Sequence, residues 1–449
     1  MQHSSTIVAP ITPPGRGGVS GIRISGPEAL DIADSLFSKD VRSIPSHRAV
    51  YGKIACPNTG SCIDQVLLLP MHGPHSYTGE DVVEIFCHGS PWITEQIVQK
   101  IIDCGAVLAQ GGEFTLRAFQ NGKMDLMQAE AVQKLIGAES SLAASSASEH
   151  LEGYLSKRVQ TWQEELTEIG AIFLAAVDFP EEGLAFATRE SLNKRLLTIL
   201  QEMEALLASF QDGKKLEEHV SFCLAGPPNV GKSSLLNALL RKDRAIVTNQ
   251  AGTTRDLLEE SFSCGSHTFT LTDTAGIREG SCPIEQEGIK RSKEVAKKSD
   301  FVVFVLDTYY TKLEACKLLE EHPPAKTLLV WNKADLQRGE FLEEFPYQVA
   351  VSAKTGKNLD ALRELFIKAS WNNPPDTYPF LLTQKRHQEC LKKAKNCLDQ
   401  VREGLAVERS FEFLSIDLQD CLQALAQMVG TCVTEDLLSS IFSQFCVGK

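Results

Sequence analysis

The 449-residue chain has no apolar run of the roughly 18–20 residues that a membrane-spanning helix needs, so no membrane association is expected. Its start, Met1 to Pro14, lacks a basic stretch followed by a long apolar one, so no secretory signal is expected and a cytoplasmic location is. Paired cysteine spacing is also missing. Thirteen cysteines, an odd number, are scattered from Cys56 to Cys446 without a repeated CxxC, which excludes a disulfide framework or a zinc ribbon. Cys56 and Cys62, with His72 and His75 downstream, come nearest to a ligand cluster, and the two cysteines read more simply as reduced, buried or incidental thiols. Basic charge is in deficit, with 45 Lys and Arg against 58 Asp and Glu, which excludes a broadly basic nucleic-acid coat but leaves room for a local basic face. No GxGxxG precedes a helical stretch, so the chain has no motif of its own for a flavin or other dinucleotide.

What is present falls into three regimes. Residues 1–118 hold short β-type runs, Gly21 to Ser25, Val66 to Leu69 and Val82 to Phe86, separated by turn signals such as Pro13-Pro14-Gly15 and Gly111-Gly112, and predict an α+β domain. From 119 the period changes. Leu155, Val159, Trp162, Leu166 and Ile169, and again Leu192, Leu196, Ile199, Met203 and Leu206, recur at alternating spacings of three and four. They predict two long amphipathic helices broken at Asp178-Phe179-Pro180. Strands over Val220 to Ala225, Phe269 to Asp273, Phe301 to Asp307, Thr327 to Asn332 and Gln348 to Ser352 then alternate with helix-length segments, the signature of a mainly parallel sheet. The helical pattern returns over 381–445. The expected organisation is an α+β domain over 1–118, a discontinuous helical domain over 119–216 and 376–449, and an α/β domain inserted at 217–375.

The inserted block carries the chemistry. Gly226-Pro227-Pro228-Asn229-Val230-Gly231-Lys232-Ser233 matches GxxxxGK[ST] between an apolar strand and the helical run from Ser234 to Leu240. In that context backbone N–H groups face phosphates, Lys232 neutralises their oxygens, and the Ser233 hydroxyl suits Mg²⁺. Asp273-Thr274-Ala275-Gly276 follows at a strand end, where Asp273 suits the water shell of Mg²⁺ and the Gly276 N–H the γ-phosphate. Asn332-Lys333-Ala334-Asp335 ends a later strand. A carboxylate at Asp335 can accept two N–H donors that guanine has and adenine lacks, and Ser352-Ala353-Lys354 can reach guanine O6 through a backbone N–H. These motifs, in this order at strand ends, resemble those of Ras-like P-loop GTPases. Ile277 stands where Ras-type enzymes place a water-orienting Gln, so hydrolysis needs another water-positioner, or the domain is a binding switch without turnover.

Further blocks extend the resemblance over the whole chain. Thr12-Pro13-Pro14-Gly15-Arg16-Gly17-Gly18-Val19, Tyr77-Thr78-Gly79-Glu80-Asp81, Arg117-Ala118-Phe119-Gln120-Asn121-Gly122-Lys123, Ala251-Gly252-Thr253-Thr254-Arg255-Asp256 and Phe445-Cys446-Val447-Gly448-Lys449 are similar to the signatures of the MnmE/TrmE family of tRNA-modification GTPases. The resemblance implies a homodimer with a folate-binding-like N-terminal domain. It also implies a heterotetramer with an FAD-dependent subunit of the MnmG/GidA type, which installs an aminomethyl or carboxymethylaminomethyl group at C5 of the wobble uridine of certain tRNAs. The one-carbon unit would come from a reduced folate, 5-formyl- or methylene-tetrahydrofolate.

The same resemblance implies K⁺ at Asn229, Thr248, Gln250 and Thr253, and Thr254 as a second Mg²⁺ ligand beside Ser233. The GTP site it outlines spans Asn229, Val230, Gly231, Lys232, Ser233 and Ser234; Thr248, Asn249, Gln250, Ala251, Gly252, Thr253 and Thr254; Asp273, Thr274, Ala275 and Gly276; Asn332, Lys333, Ala334 and Asp335; and Ser352, Ala353 and Lys354. A cation beside the phosphates can stabilise transition-state charge as an arginine finger does. The catalytic pair implied is Lys232 and a water-positioning glutamate that falls on Glu285, with Glu279 and Glu287 as neighbouring alternatives. For folate the matching positions are Arg23, Glu80, Lys123 and Lys449; without the family each would read as a solvated surface charge. Cys446 is either a thiol carried toward the folate and uridine or a packed thiol near an interface. Asn249-Gln250 departs from the acidic or aliphatic residues usual in the cation loop. The basic run Lys385-Arg386-His387 through Lys392, Lys393 and Lys395 reads as a tRNA contact or as a solvated helix face. The competing function is a GTP-dependent ribosome-assembly factor with no modification activity.

Overall fold

Strand alternation divides the first sheet into one face under helices and one face that carries charge. The computed structural model of the chain describes residues 5–56, 60–178, 188–240, 259–265, 267–273, 295, 297–320, 322–337, 339–371 and 381–449. They form two compact units, one of Met1–Gln133, His150–Leu197 and Lys393–Lys449, the other of Lys134–Glu149 and Thr198–Lys392. Among the described residues no helix is long and apolar enough to cross a membrane.

In the first unit β1 (Ile7–Pro10), β2 (Val19–Ser25), β3 (Val50–Ala55), β4 (Cys62–Met71), β5 (Val82–His88) and β6 (Val107–Leu108) lie in the order β3-β4-β5-β2-β1-β6. All neighbours are antiparallel except β1 and β6. Side chains alternate between faces, so Ile22, Ile24, Val66, Leu68, Val83 and Ile85 point to α1 (Ala29–Leu36) and α2 (Pro91–Asp103) and build the core with Ile32, Leu36, Ile97 and Ile101. The opposite face buries Ile7 and Ala9 with Phe114 of α3 (Glu113–Gln120). Farther along, the same face presents Tyr51, Leu67 and Val19, which remain exposed.

Helices complete this unit. α4 (Leu126–Ile136) starts in this unit, α5 (Ser141–Leu151) falls largely in the other, and α6 (Tyr154–Asp178) belongs to this one; the expected break at Asp178-Phe179-Pro180 runs into residues 179–187, outside the described residues. The buried stripe of α6 is Leu155, Val159, Trp162, Leu166, Ile169 and Phe173, the expected periodic set with Phe173 added. Beyond α7 (Arg189–Ala208) and α8 (Phe210–Glu218), later in the chain, α13 (Phe411–Val429) packs on α6, with Phe173 and Phe411 stacked 5.1 Å apart. α14 (Glu435–Phe442) starts at Thr434, whose hydroxyl accepts from Leu437 N at 3.4 Å, and seats Phe442 and Phe445 against Leu126 and Ala129.

The second unit is built on β7 (Val220–Ala225), β8 (Glu259–Cys264), β9 (His267–Asp273), β10 (Phe301–Asp307), β11 (Thr327–Asn332) and β12 (Gln348–Ala350), in the order β12-β11-β10-β7-β9-β8. All pairings are parallel except the β8–β9 hairpin. Both faces are covered, as a parallel sheet requires. Val303, Val305, Leu328 and Val330 face α9 (Lys232–Leu240) and α11 (Leu359–Ser370), while Val302, Phe304, Leu306, Leu329 and Trp331 face α10 (Lys312–Leu319). The expected strands β7, β10 and β11 fall on the expected residues, β9 begins two residues earlier, and β12 ends at Ala350 instead of Ser352. α12 (Lys385–Ala406) restores the helical pattern. Among the described residues there is no group of three or more His, Cys, Asp or Glu that could hold a metal, and none of the described cysteines, Cys56 and Cys62 included, is in a disulfide.

Phe222 anchors the second core, with ring centroids 4.5 Å from Phe366, 5.5 Å from Phe269 and 5.4 Å from Phe301. Truncation to alanine leaves a cavity that three aromatic neighbours cannot all collapse into, so Phe222→Ala should destabilise this unit by about 3–5 kcal/mol. Urea denaturation followed by far-ultraviolet circular dichroism checks it.

Candidate functional site

The carboxyl ends of β7, β10 and β11 bring the expected nucleotide residues together. The loop leaves β7 at Gly226, at φ 134°, where an added Cβ would lie 2.2 Å from Val305 O on β10. Gly231, at φ 94°, passes so close to β11 that a Cβ would lie 2.3 Å from Asn332 Nδ2. Side chains other than hydrogen are thus excluded at both ends of the loop, which brings bare backbone to its inner surface. Between them Asn229 takes the left-handed region at φ 64°. The loop runs into the N-terminus of α9, whose first N–H groups have no partner within the helix and favour anions. Lys232 Nζ donates to Gly226 O at 2.9 Å and Pro227 O at 2.7 Å, which holds the ammonium over the loop.

Asn332 joins this loop to the far side of the site. Its buried amide donates to Val230 O at 2.8 Å and accepts from Ala353 N at 3.1 Å. Ala334 N donates to Val351 O at 2.9 Å, which sets Asp335 beside Ser352. The Ser352 hydroxyl first, and then the backbone N–H of Asp335 itself, hold the Asp335 carboxyl below the ordinary aspartate range, with Lys354 and Lys357 adding to the shift. Lys333, at φ 64°, places Nζ 2.7 Å from Asp307 Oδ2. Asp307 was not a candidate from sequence, because only the register that pairs it with Asn332 brings it to the site. Asp273 pairs with Leu224 at the end of β9. Thr248, Asn249, Gln250, Ala251, Gly252, Thr253, Thr254, Thr274, Ala275, Gly276, Ile277, Glu279, Glu285 and Glu287 lie outside the described residues.

A second cluster sits on the charged face of the first sheet. Arg23 on β2 faces Glu84 on β5, with Nε and Nη2 each 2.9 Å from Glu84 Oε1. Its guanidinium lies over the rings of Tyr77 at 4.8 Å and Phe114 at 5.5 Å. Burial pushes the Tyr77 phenol up, and its hydroxyl lies 2.9 Å from Thr115 Oγ1. Lys449 reaches the same place: the backbone of the terminal segment is held by Gly112 N to Cys446 O at 3.3 Å and Phe114 N to Lys449 O at 3.2 Å. Burial first, and then the Arg23 charge, push the Lys449 amine below the ordinary lysine range.

Two residues along β2 on the same face, the Ser25 hydroxyl donates to Glu80 Oε2 at 2.7 Å and can then only accept from Thr78, also at 2.7 Å. Arg117 Nη1 contacts both Glu80 oxygens at 3.3 and 3.2 Å. The Lys123 stem would meet a Cβ at Gly79 at 3.3 Å, and its Nζ donates to Pro74 O at 2.9 Å. Arg23 and Lys449 therefore form one half of the cluster, and Glu80 and Lys123 the other. Glu84, Ser25, Thr78 and Arg117 were not singled out as site residues from sequence; Thr78 and Arg117 lie inside two of the quoted blocks, which was the available signal. Cys446 is exposed.

Comparisons with known proteins cover the chain end to end. A family model described as the GTP-binding protein TrmE N-terminus matches residues 6–123, and one described as the MnmE helical domain matches residues 126–446. A protein of Protochlamydia amoebophila named tRNA modification GTPase MnmE is 46% identical over 447 residues, covering 99% of this chain and 97% of its own length. Proteins of the same name from Geotalea uraniireducens and Chlamydia felis are 39% and 40% identical, with full coverage of both chains in each case.

The Ser352 contact gives a pH test. A depressed carboxyl stays ionised as pH falls through the ordinary range, and the ionised form is the one able to accept two N–H donors of a guanine base. Removing the hydroxyl raises that pKa, so Ser352→Ala should lose guanine-nucleotide binding at a higher pH than the parent chain while binding equally near neutrality. Titrating a fluorescent GDP analogue across the acid range checks it.

Proposed function

The chain belongs to the MnmE family of tRNA-modification GTPases, and on that premise we propose that its cycle of GTP hydrolysis, assisted by Mg²⁺ and K⁺, controls a folate-dependent modification of wobble uridine carried out with an FAD-dependent partner subunit. That it is a GTP hydrolase acting in tRNA modification follows from the family. The cations, the folate, the partner and a homodimeric assembly belong to the proposal.

The observation that carries the nucleotide part is the pair of cradles at Gly226 and Gly231, which a Cβ would fill. Such a loop fits phosphate oxygens, with Asn229, Val230, Gly231, Lys232, Ser233 and Ser234 holding them and Asp335 selecting guanine. Ser233 in the first turn of α9 supplies one oxygen suited to Mg²⁺, with Thr254 as the second. An oxygen-only donor set, Asn229 with Thr248, Gln250 and Thr253, suits K⁺ by its chemistry. When bound, the two cations supply positive charge beside the phosphates. Glu285 is the proposed water-orienting carboxylate, and Lys232 meets the charge that builds on the phosphate oxygens.

The folate reading has independent support. Arg23 Nη1 is buried and has no hydrogen-bond partner among the described residues, an arrangement that fits a polar ligand atom. Tyr77 and Phe114 flank that guanidinium, Lys449 adds a second cation, and Glu80 with Lys123 lines the other half. A bound reduced folate would supply the one-carbon unit, while the flavin belongs to the partner. The exposed apolar row Val19, Tyr51 and Leu67 shares the sheet face of Arg23 and Glu84 and supports a homodimer through that face. A thiol role for Cys446 requires that Cys446→Ser impair modification while GTP turnover stays normal.

The test is GTP hydrolysis by the full chain with Mg²⁺, in K⁺ and in Na⁺ at matched ionic strength. The rate in K⁺ should exceed that in Na⁺ by on the order of tenfold or more, and Asn229→Ala and Glu285→Ala should each remove most of that advantage. Equal slow rates in both salts would overturn the K⁺ reading.

A further inference from the structure

Helix α3 meets the candidate folate cluster at three points along its length. Phe114 lies against the Arg23 guanidinium, Thr115 Oγ1 meets the Tyr77 hydroxyl, and Arg117 reaches Glu80. Arg117 is among the largest fully buried side chains described, at 1% exposure, and it is the charged one among them. Its Nη2 donates to Glu113 Oε1 at 2.9 Å and its Nη1 to Ser5 O at 2.9 Å, so the guanidinium is anchored from both sides before it meets Glu80. The two contacts to Glu80, at 3.3 and 3.2 Å, come from the single Nη1 and are long. The short bond to that carboxylate is the one from Ser25 to Oε2. An ionised carboxylate has about four acceptor sites, so Oε1, which carries only one long contact, keeps a lone pair to spare.

Burying an ion pair in a domain carries a large desolvation penalty, and well-packed apolar residues give equal or better stability. Ser25 and Thr78, both fully buried, add two more polar groups whose chain of hydrogen bonds ends on Glu80. Arg117 and Ser25 bond the carboxylate directly, Thr78 backs Ser25, and one oxygen is left with spare capacity, which is the arrangement expected of a group held for a ligand.

We propose that Arg117 is the positioning residue for Glu80: anchored by Glu113 and Ser5, it fixes the carboxylate so that Oε1 accepts an N–H of the pterin of a reduced folate. The inference rests on the folate reading above.

Isothermal titration of 5-formyltetrahydrofolate into the full chain tests both, using the parent chain, Glu80→Gln, Arg117→Met, Arg117→Lys and the double variant Glu80→Gln/Arg117→Met, with thermal melting of each. Glu80→Gln and Arg117→Met should each weaken binding by on the order of tenfold, and the double variant should bind no more weakly than Glu80→Gln alone. Arg117→Lys, which keeps the charge but not the fork, should recover part of the loss. Losses that multiply in the double variant, or parental affinity in both Arg117 variants while Glu80→Gln binds weakly, would overturn the positioning role and leave the folate reading standing. A parent chain that binds no reduced folate would overturn the folate reading, and the inference with it. Should Arg117→Met fail to fold, Glu113→Gln carries the same cycle: it removes the charge that anchors the far side of the guanidinium, and its loss must likewise vanish in the Glu80→Gln background.

Discussion

The side-chain amide of Asn332 is the joint on which the nucleotide region depends. One end satisfies the carbonyl of Val230 in the phosphate loop and the other satisfies the amide of Ala353 beyond β12. Both backbone groups lie where an apolar side chain at position 332 would leave them without partners, and a buried polar group stranded in that way costs more than its hydrogen bond contributes. The constraint is mutual. Gly231 must be glycine because the amide nitrogen occupies the space a Cβ would need, and the amide can lie there only because Gly231 is glycine. Around this joint the parallel sheet sets everything else: Asp307 stands opposite Asn332 because β10 and β11 are in register, and Ser352 reaches Asp335 because Ala334 is tied to Val351.

The first unit solves a different problem. One face of its sheet is an ordinary apolar core, whereas the other buries Arg23, Arg117, Ser25 and Thr78. Local rules for a stable sheet would fill the β2 positions of Arg23 and Ser25 with apolar β-branched residues, and a departure of this kind is expected where a binding site is kept at some expense of stability. α3 reconciles the two demands, since it packs Phe114 against Ile7 and Ala9 while the next turn delivers Arg117 to the carboxylates.

How much of this could be read from the chain depended on how local each signal was. β7, β10 and β11 were legible to the residue because buried parallel strands are continuous apolar runs bounded by polar turns, and the buried stripe of α6 was legible from its spacing of three and four. The strands β1, β3, β6 and β8 were not, because they are short or alternate with polar residues, as Glu259–Cys264 does, and acquire their identity only by pairing. The phosphate loop, Asn332 and Asp335 were legible as motifs. The partnership of Arg117 with Glu80 was not, since it spans 37 positions and exists only once α3 is seated. Glu84 was hidden for a similar reason, its meeting with Arg23 being fixed by the β2–β5 register.

The way the sheets end has a consequence for how the chain behaves at high concentration. An open edge offers unpaired backbone donors and acceptors to any strand that drifts past, and long flat edges seed aggregation. β6 and β12, which close one side of each sheet, are two and three residues long, too short to template a stable ladder. On the opposite side of the first sheet, β3 carries Lys53 and a register shift between Ile54 and Ala55 that interrupts a regular edge. An incoming strand would have to bury that lysine and bridge the irregularity, so these three edges resist strand-by-strand growth even though the sheet between them leaves Tyr51, Leu67 and Val19 open to a partner's surface.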